Sequence, residues 1–127
     1  MPRTRKDEAP IMLDEPEIEG RYVELGDSTV AYETYRVDVD PAPFFRGLPD
    51  DRCQCPHWGL VRTGRLVMRF ADHDETYTAG DAYSVGAGHL PLVFAGTEVV
   101  EFSPTEQLRA TMAVLGANMA AAQAAVR

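Results

Sequence analysis

The sequence predicts an all-β domain followed by one C-terminal helix. Eight short runs rich in β-branched and aromatic residues recur along the chain, and Gly, Pro or Asp separate them. With 127 residues, the chain has room for one hydrophobic core and little more. Short strands separated by turn residues are typical of a β-sandwich or a β-barrel.

The predicted strands lie between Tyr22 and Phe102. Their approximate ranges are residues 22–25, 29–39, 58–63, 65–70, 75–78, 82–85, 92–94 and 99–102. Glycines mark the turns, above all at Gly64 and Gly80. The large aromatic residues of this region are interpreted as core or cavity-wall residues, namely Trp58, Phe70, Tyr83 and Phe94.

The pattern divides the chain into an N-terminal tail (1–19), a barrel (20–103) and a C-terminal helix (104–127). The tail mixes charges with prolines and is expected to be partly flexible, although residues 11–13 could add an edge strand. Residues 103–106 read Ser-Pro-Thr-Glu, the pattern of a helix capping box. The apolar face of the helix either packs on the outside of the barrel or forms a homodimer contact; it comprises Leu108, Met112, Leu115, Met119 and Val126.

Charge and composition exclude several classes of partner. The formal net charge is −8, so neither nucleic acid nor an anionic membrane surface is expected to bind. No apolar run approaches the length of a membrane span, and the basic start of the chain lacks the apolar core of a secretory signal. The predicted location is therefore cytoplasmic, and the predicted partner is a small-molecule ligand.

Cysteine and histidine residues cluster before the predicted turn at Gly64. Cys53, Cys55 and His57 alternate along the chain, so an extended backbone projects them to one face. His89, just after a glycine-rich turn, is the best candidate for a fourth metal ligand from another strand. Thiolate and imidazole donors favour zinc or iron over magnesium or calcium, so the expected cofactor is one divalent zinc or iron ion.

Other interpretations of these residues stay open. The cysteines could be small buried side chains or a redox pair, and the histidines could serve only as hydrogen-bonding groups. His73 lies in a polar turn and is expected to be solvated. Glu33, Tyr35 and Glu101 lie on predicted strands and could face either the cavity or water.

Two segments carry a resemblance to a known family. Residues 56–66 (PHWGLVRTGRL) and 79–89 (AGDAYSVGAGH) resemble the two motifs of small cupin-domain proteins, and the resemblance covers about residues 47–104. It implies a jelly-roll-like barrel, the double-stranded β-helix, made of antiparallel strands. It also implies a cavity that commonly holds a metal through two histidines, a glutamate and a histidine of the second motif.

The ligand set that the resemblance implies here is not the usual one. The two histidine positions of the family fall on Cys53 and Cys55, and its glutamate position falls on His57. The histidine position of the second motif falls on Pro91, whereas His89 lies two residues earlier with the same strand parity.

Three functions are compatible with such a domain. The first is binding of a metal or small molecule without turnover. The second is a metal-dependent enzyme of the dioxygenase, isomerase or decarboxylase type, and the third is a dimeric structural or interaction module. The non-standard ligand set favours the first, although one fold hosts many activities.

Overall fold

The computed structural model describes residues 2–126, which form nine strands and one long helix. The eight strands predicted from the sequence correspond to β2–β9. The elements are β1 (Ile11–Asp14), β2 (Ile18–Leu25), β3 (Ser28–Tyr35), β4 (His57–Thr63), β5 (Arg65–Arg69), β6 (Asp74–Thr78), β7 (Ala82–Val85), β8 (Leu90–Val93), β9 (Glu98–Pro104) and α1 (Thr105–Val126).

The strands form two antiparallel sheets. The six-stranded sheet has the order β1-β2-β3-β9-β4-β7, and the three-stranded sheet has the order β6-β5-β8. The all-β class with a C-terminal helix is therefore confirmed. Across residues 2–126 the backbone hydrogen bonds do not join the two sheets into a closed barrel.

The hydrophobic core lies between the two sheets because alternate residues of each strand point to the same face. Val61 and Val99 from the larger sheet meet Leu66, Met68 and Val93 from the smaller one. All five side chains are nearly inaccessible to solvent. Each contributes about 1.5–3 kcal/mol of burial free energy, so this core accounts for much of the stability.

The turn at Gly64 is confirmed, and it requires glycine. Its φ angle is +76°, a left-handed conformation that other residues adopt at a cost. A Cβ atom at this position would lie 2.8 Å from the Cα atom of Thr97. The Thr97 hydroxyl accepts a hydrogen bond from the Arg65 amide and donates one to the Arg65 carbonyl. These bonds fix the turn to Thr97, the residue before β9.

The N-terminal segment is part of the fold. β1 pairs with β2 at the edge of the larger sheet, and β2 begins before the predicted barrel boundary at residue 20. Ala9 packs on Val30 and Tyr32 on the outer face of the sheet. The Arg21 side chain donates hydrogen bonds to the carbonyl oxygens of Lys6 and Ala9, which holds this segment in place.

The outer face of β4 and β9 exposes large apolar side chains. Trp58, Leu60 and Phe102 are 51%, 42% and 43% exposed. Val61 points into the core, so the alternation of β4 directs Trp58 and Leu60 outward. The interpretation of Trp58 as a core or cavity-wall residue is therefore wrong, whereas Tyr83 is buried as expected.

The helix α1 packs on its own chain. Leu108 and Leu115 contact the cluster formed by Phe45, Cys53 and Cys55. The alternative that this face forms a homodimer contact stays a prediction. Along the described part of the chain, no helix has both the length and the apolar character that crossing a membrane requires.

The start of α1 differs from the predicted capping box. β9 continues to Pro104, and the helix begins at Thr105, whose amide donates to the carbonyl of Asp27. The Ser103 hydroxyl bonds to the His57 ring instead of serving as the helix cap. A polar side chain that the sequence pattern assigns to a helix end thus belongs to the interior.

Candidate functional site

Three of the four predicted metal ligands come together. Cys53, His57 and His89 are buried, and one potential ligand atom from each lies within 4.8 Å of the others. The Cys53 amide donates to the His89 carbonyl at 2.9 Å, which ties the loop before β4 to the residue before β8. His57 is the first residue of β4, so both histidines stand where a strand begins.

The orientation of the rings suits metal binding. The Nδ1 atom of His57 lies 2.7 Å from the Ser103 hydroxyl, and Nδ1 of His89 lies 2.7 Å from the carbonyl oxygen of Gly86. These partners fix each ring and leave its Nε2 atom available, as is usual for metal-binding histidines. The Nε2 atom of His57 lies 3.6 Å from the Cys53 Sγ atom. Two ligands of a tetrahedral zinc ion, at about 2.3 Å for sulfur and 2.0 Å for nitrogen, lie about 3.5 Å apart, close to this distance.

Burial sets the protonation of the three side chains. It lowers the pKa of His57 and that of His89 to about 4, so both rings are neutral near neutral pH. Burial raises the pKa of the Cys53 thiol to about 12, so the free thiol keeps its proton. A metal bound here would have to displace that proton, because the thiolate is the ligand.

Cys55 is not part of this group. Its thiol donates to the carbonyl of Pro56 at 3.5 Å, and burial raises its pKa to about 11. The parity argument assumed an extended strand through Cys55, but β4 begins only at His57. Cys55 instead packs with Phe45 and Cys53 beneath α1.

A second group of polar side chains faces the same interior. The sequence left open whether Glu33, Tyr35 and Glu101 face the cavity, and all three line it. The hydroxyl of Tyr22 donates to Glu33 at 2.7 Å, and that of Tyr35 lies 3.3 Å from the other carboxyl oxygen. Sequence reasoning did not find Tyr22.

Glu101 connects this group to the candidate metal ligands. It accepts a hydrogen bond from the Tyr83 hydroxyl, and its other oxygen lies 3.4 Å from Nδ1 of His57. Gly59 makes room for Tyr83, since a Cβ there would lie 2.6 Å from the tyrosine ring. Ser103, also missed, has the same parity on β9 as Glu101, and this alternation was the signal that could have found it.

Both carboxyl groups favour the protonated form. Burial raises the pKa of Glu101 to about 7, and burial together with repulsion from Glu101 raises the pKa of Glu33 to about 7. The tyrosine hydroxyls partly offset this effect by donating to the carboxylates. The described lining of this interior thus contains two carboxyl groups, Glu33 and Glu101, and no Lys or Arg side chain that would balance their charge.

The pKa of Glu33 predicts how stability depends on pH. From about pH 6.5 to 8 the folded protein binds more protons at Glu33 than the unfolded chain, so its stability falls as pH rises. His57 and His89 are neutral in the folded protein across this window, but in the unfolded chain they still bind protons near pH 6.5, so at the lower end of the window they add a slope of opposite sign. Glu101, whose pKa is also raised to about 7, adds a slope of the same sign as that of Glu33. Tyr22, Tyr35 and Tyr83, which also surround the acids, stay protonated.

We expect the Glu33→Gln variant to lose about 1 kcal/mol of this pH dependence, because one pKa unit corresponds to about 1.4 kcal/mol. Urea unfolding at several pH values, with a chelator present, measures it. The exposed His73 also has a raised pKa and contributes to the wild-type slope, so the difference between the two proteins is the relevant quantity. Identical slopes would contradict the prediction.

His73 itself is bonded to Asp72 and Glu75 at the surface, as expected.

Two adjoining cavities surround these side chains. The inner one, of about 90 Å³, is lined by the candidate metal ligands, and the outer one, of about 590 Å³, opens between α1, the β1–β2 turn and β3. Both linings include Glu33, Tyr35, Phe45, Pro91, Met112 and Leu115. Glu33 and Tyr35 therefore stand at the boundary between a large, mostly apolar space and the cysteine-histidine group.

The donor set fits a metal ion. One thiol and two neutral imidazoles are ligands that zinc and iron accept, and three protein ligands leave a coordination position open toward the cavity. Magnesium and calcium prefer oxygen ligands such as carboxylates, whereas these three side chains offer sulfur and nitrogen. The Cys53, His57 and His89 side chains could thus hold a zinc or iron ion.

Solved structures with a similar fold are known. An RmlC-like cupin from Shewanella frigidimarina has a TM-score of 0.54 and 13% identity, covering 80% of this chain and 88% of that chain. KdgF from Halomonas sp. has a TM-score of 0.53 and 16% identity, covering 79% and 92%. An Fe(II) form of HppE has a TM-score of 0.56 and 13% identity, covering 81% and 60%.

No protein-family model matches the sequence, and no curated protein matches it either. At these identities the structural likeness concerns the fold. The likeness agrees with the two antiparallel sheets and the C-terminal helix of this chain. The chain is therefore a small protein with the cupin fold.

Proposed function

We propose that this protein binds one zinc or iron ion through Cys53, His57 and His89, and admits a small organic ligand through the adjoining cavity. The observation that carries the proposal is the convergence of one buried thiol and two oriented imidazoles within 4.8 Å. The 590 Å³ cavity beside them has a volume typical of small-molecule sites.

The surrounding residues support this assignment in distinct ways. Ser103 and the Gly86 carbonyl hold the two rings through their Nδ1 atoms, which leaves the Nε2 atoms available to a metal. Glu101 lies beside His57 and can accept a proton there. The bound ion would supply an open coordination position in the inner cavity.

The experiment that tests the metal site compares two neighbouring cysteines. The wild-type protein, Cys53→Ser and Cys55→Ser are each titrated with Co²⁺, and the thiolate-to-cobalt charge-transfer absorption and the stoichiometry are recorded. We expect one Co²⁺ per chain with the charge-transfer band for the wild type and for Cys55→Ser. For Cys53→Ser we expect the band to disappear, because only Cys53 lies beside the rings.

Cys55 is a matched control because it is as buried as Cys53 and lies two residues away. Equal loss of the band in both variants would contradict the assignment of Cys53 as the ligand. A wild-type protein that binds no Co²⁺, and contains neither zinc nor iron after anaerobic purification, would overturn the metal proposal.

The other sequence-based expectations stay predictions. A metal-dependent enzyme and a dimeric interaction module are the alternative functions, and neither follows from the geometry alone. A homodimer and a cytoplasmic location are likewise predictions, which sizing of the purified protein and fractionation of cells would measure.

A further inference from the structure

The outer cavity has an unusual combination of wall residues. Most of its lining is apolar, contributed by α1, β8 and the segment around Phe44 and Phe45. The charged side chains that line it are all acidic, namely Glu15, Glu17 and Glu33. Among the described residues, no Lys or Arg lines either cavity.

Glu33 stands at the inner end of this cavity with capacity to bind a further donor. Its two oxygens accept from Tyr22 and Tyr35, one hydroxyl each. An ionised carboxylate offers about four acceptor sites, so two such bonds leave room for an N–H group. Glu101 lines the inner cavity together with Glu33 and is also acidic, so a cation placed here would be attracted by both carboxyl groups.

Aromatic rings line the same cavity as Glu33. Tyr22, Tyr35, Phe44 and Phe45 line it together with Glu33. The faces of aromatic rings attract cations, and a carboxylate among aromatic side chains is a common arrangement for binding ammonium groups. An anionic ligand would find no basic partner and would face the acids directly.

We propose that the outer cavity binds a small organic ammonium ion, with the charged nitrogen at Glu33 and its alkyl or aryl body against the apolar wall. This inference rests on the ligand-binding half of the proposed function and specifies the class of ligand. The metal half is independent of it, because the cysteine and histidines line the inner cavity rather than the outer one.

The test uses three probes of equal chain length: hexylamine, hexanol and hexanoate. Calorimetric titration at neutral pH is carried out on the protein as purified and after chelator treatment. We expect hexylamine to bind at least about 10-fold more tightly than hexanol, since hydrogen bonds to a charged partner are the strong ones. Hexanoate should bind more weakly than hexanol.

The Glu33→Gln variant tests the position of the nitrogen. It should lose about 10-fold in hexylamine affinity and keep its hexanol affinity, since the amide retains the shape but not the charge. Glu24→Gln is the matched control, because Glu24 is exposed on β2 and paired with Arg109 at 2.8 Å. That variant should bind all three probes as the wild type does.

Each other result has a definite meaning. Equal affinity for hexylamine and hexanoate, or no binding of any probe, would overturn the proposal even if Co²⁺ still binds. Hexylamine binding that vanishes after chelator treatment would also overturn it, since the amine would then be a ligand of the metal. The wild-type probe series decides the proposal even if the Glu33→Gln variant fails to fold.

Discussion

Replacing Leu66 with alanine is expected to lower the free energy of unfolding by about 2–5 kcal/mol, a large share of the stability of a typical domain. Leu66 is 2% exposed and lies at the centre of the three-stranded sheet, between Tyr77 of β6 and Val93 of β8. Its side chain fills the space between the two sheets, so truncation removes buried apolar surface and leaves a cavity. Neighbouring strands on both sides limit how far the core can collapse into that cavity.

Leu60→Ala is the matched control for this substitution. Leu60 also lies on a strand, but it is 42% exposed on the outer face of β4. Its truncation should change stability by about 0.5 kcal/mol or less, as for most surface substitutions. Urea unfolding in the presence of a chelator measures both variants, and the midpoints are comparable where the slope is unchanged. Similar losses for the two variants would refute the assignment of the core to the space between the sheets.

The strand pattern was predictable because local chemistry determines it. Runs of β-branched residues ended at turn residues such as Gly26, Gly64 and Gly80, and each of these glycines has a positive φ angle. The parity of a strand is also local, so a buried Val61 implies an outward Trp58. Size and aromaticity alone led to the wrong interpretation of Trp58, although the alternation of β4 indicated its outward direction.

The N-terminal segment shows where the sequence pattern was insufficient. β1 is four residues long and carries no clear alternation, with Ile11 and Met12 exposed. Its position depends on pairing with β2 and on hydrogen bonds from Arg21 to carbonyl groups, which are tertiary contacts. Composition alone therefore predicted a partly flexible tail in which residues 11–13 could add an edge strand, and β1 lies at that place on the sheet edge.

The site was predictable to the extent that it follows strand direction. His57 was found by its alternation with Cys53 and Cys55, and His89 by its position after a glycine-rich turn, but the exclusion of Cys55 depends on the irregular backbone before β4. The acid pair required knowledge of which strands are neighbours. Glu33 and Glu101 come from β3 and β9, which are adjacent in the sheet although far apart in the sequence.

Replacing His57 with alanine is expected to lower the affinity for zinc by about 100-fold or more, which corresponds to about 2.7 kcal/mol. The loss of an outer partner of a metal ligand alone costs about 10–100-fold, and this substitution removes the ligand itself. It also leaves the Ser103 hydroxyl and one oxygen of Glu101 without their contacts to the ring. Competition with a chromophoric chelator at fixed pH measures the affinity.

The stabilisation that zinc confers separates loss of the ligand from damage to the fold. A metal that binds only the folded state at a hundredfold excess over its dissociation constant adds about 2.7 kcal/mol to the free energy of unfolding. We expect this zinc-dependent increment in the wild type and in His73→Ala, whose histidine is exposed and bonded to Asp72 and Glu75. In His57→Ala the increment should nearly vanish, whatever its metal-free stability. An undiminished increment in His57→Ala would show that zinc binds elsewhere, since the Cys53 thiol and the His89 ring alone provide two protein ligands rather than three.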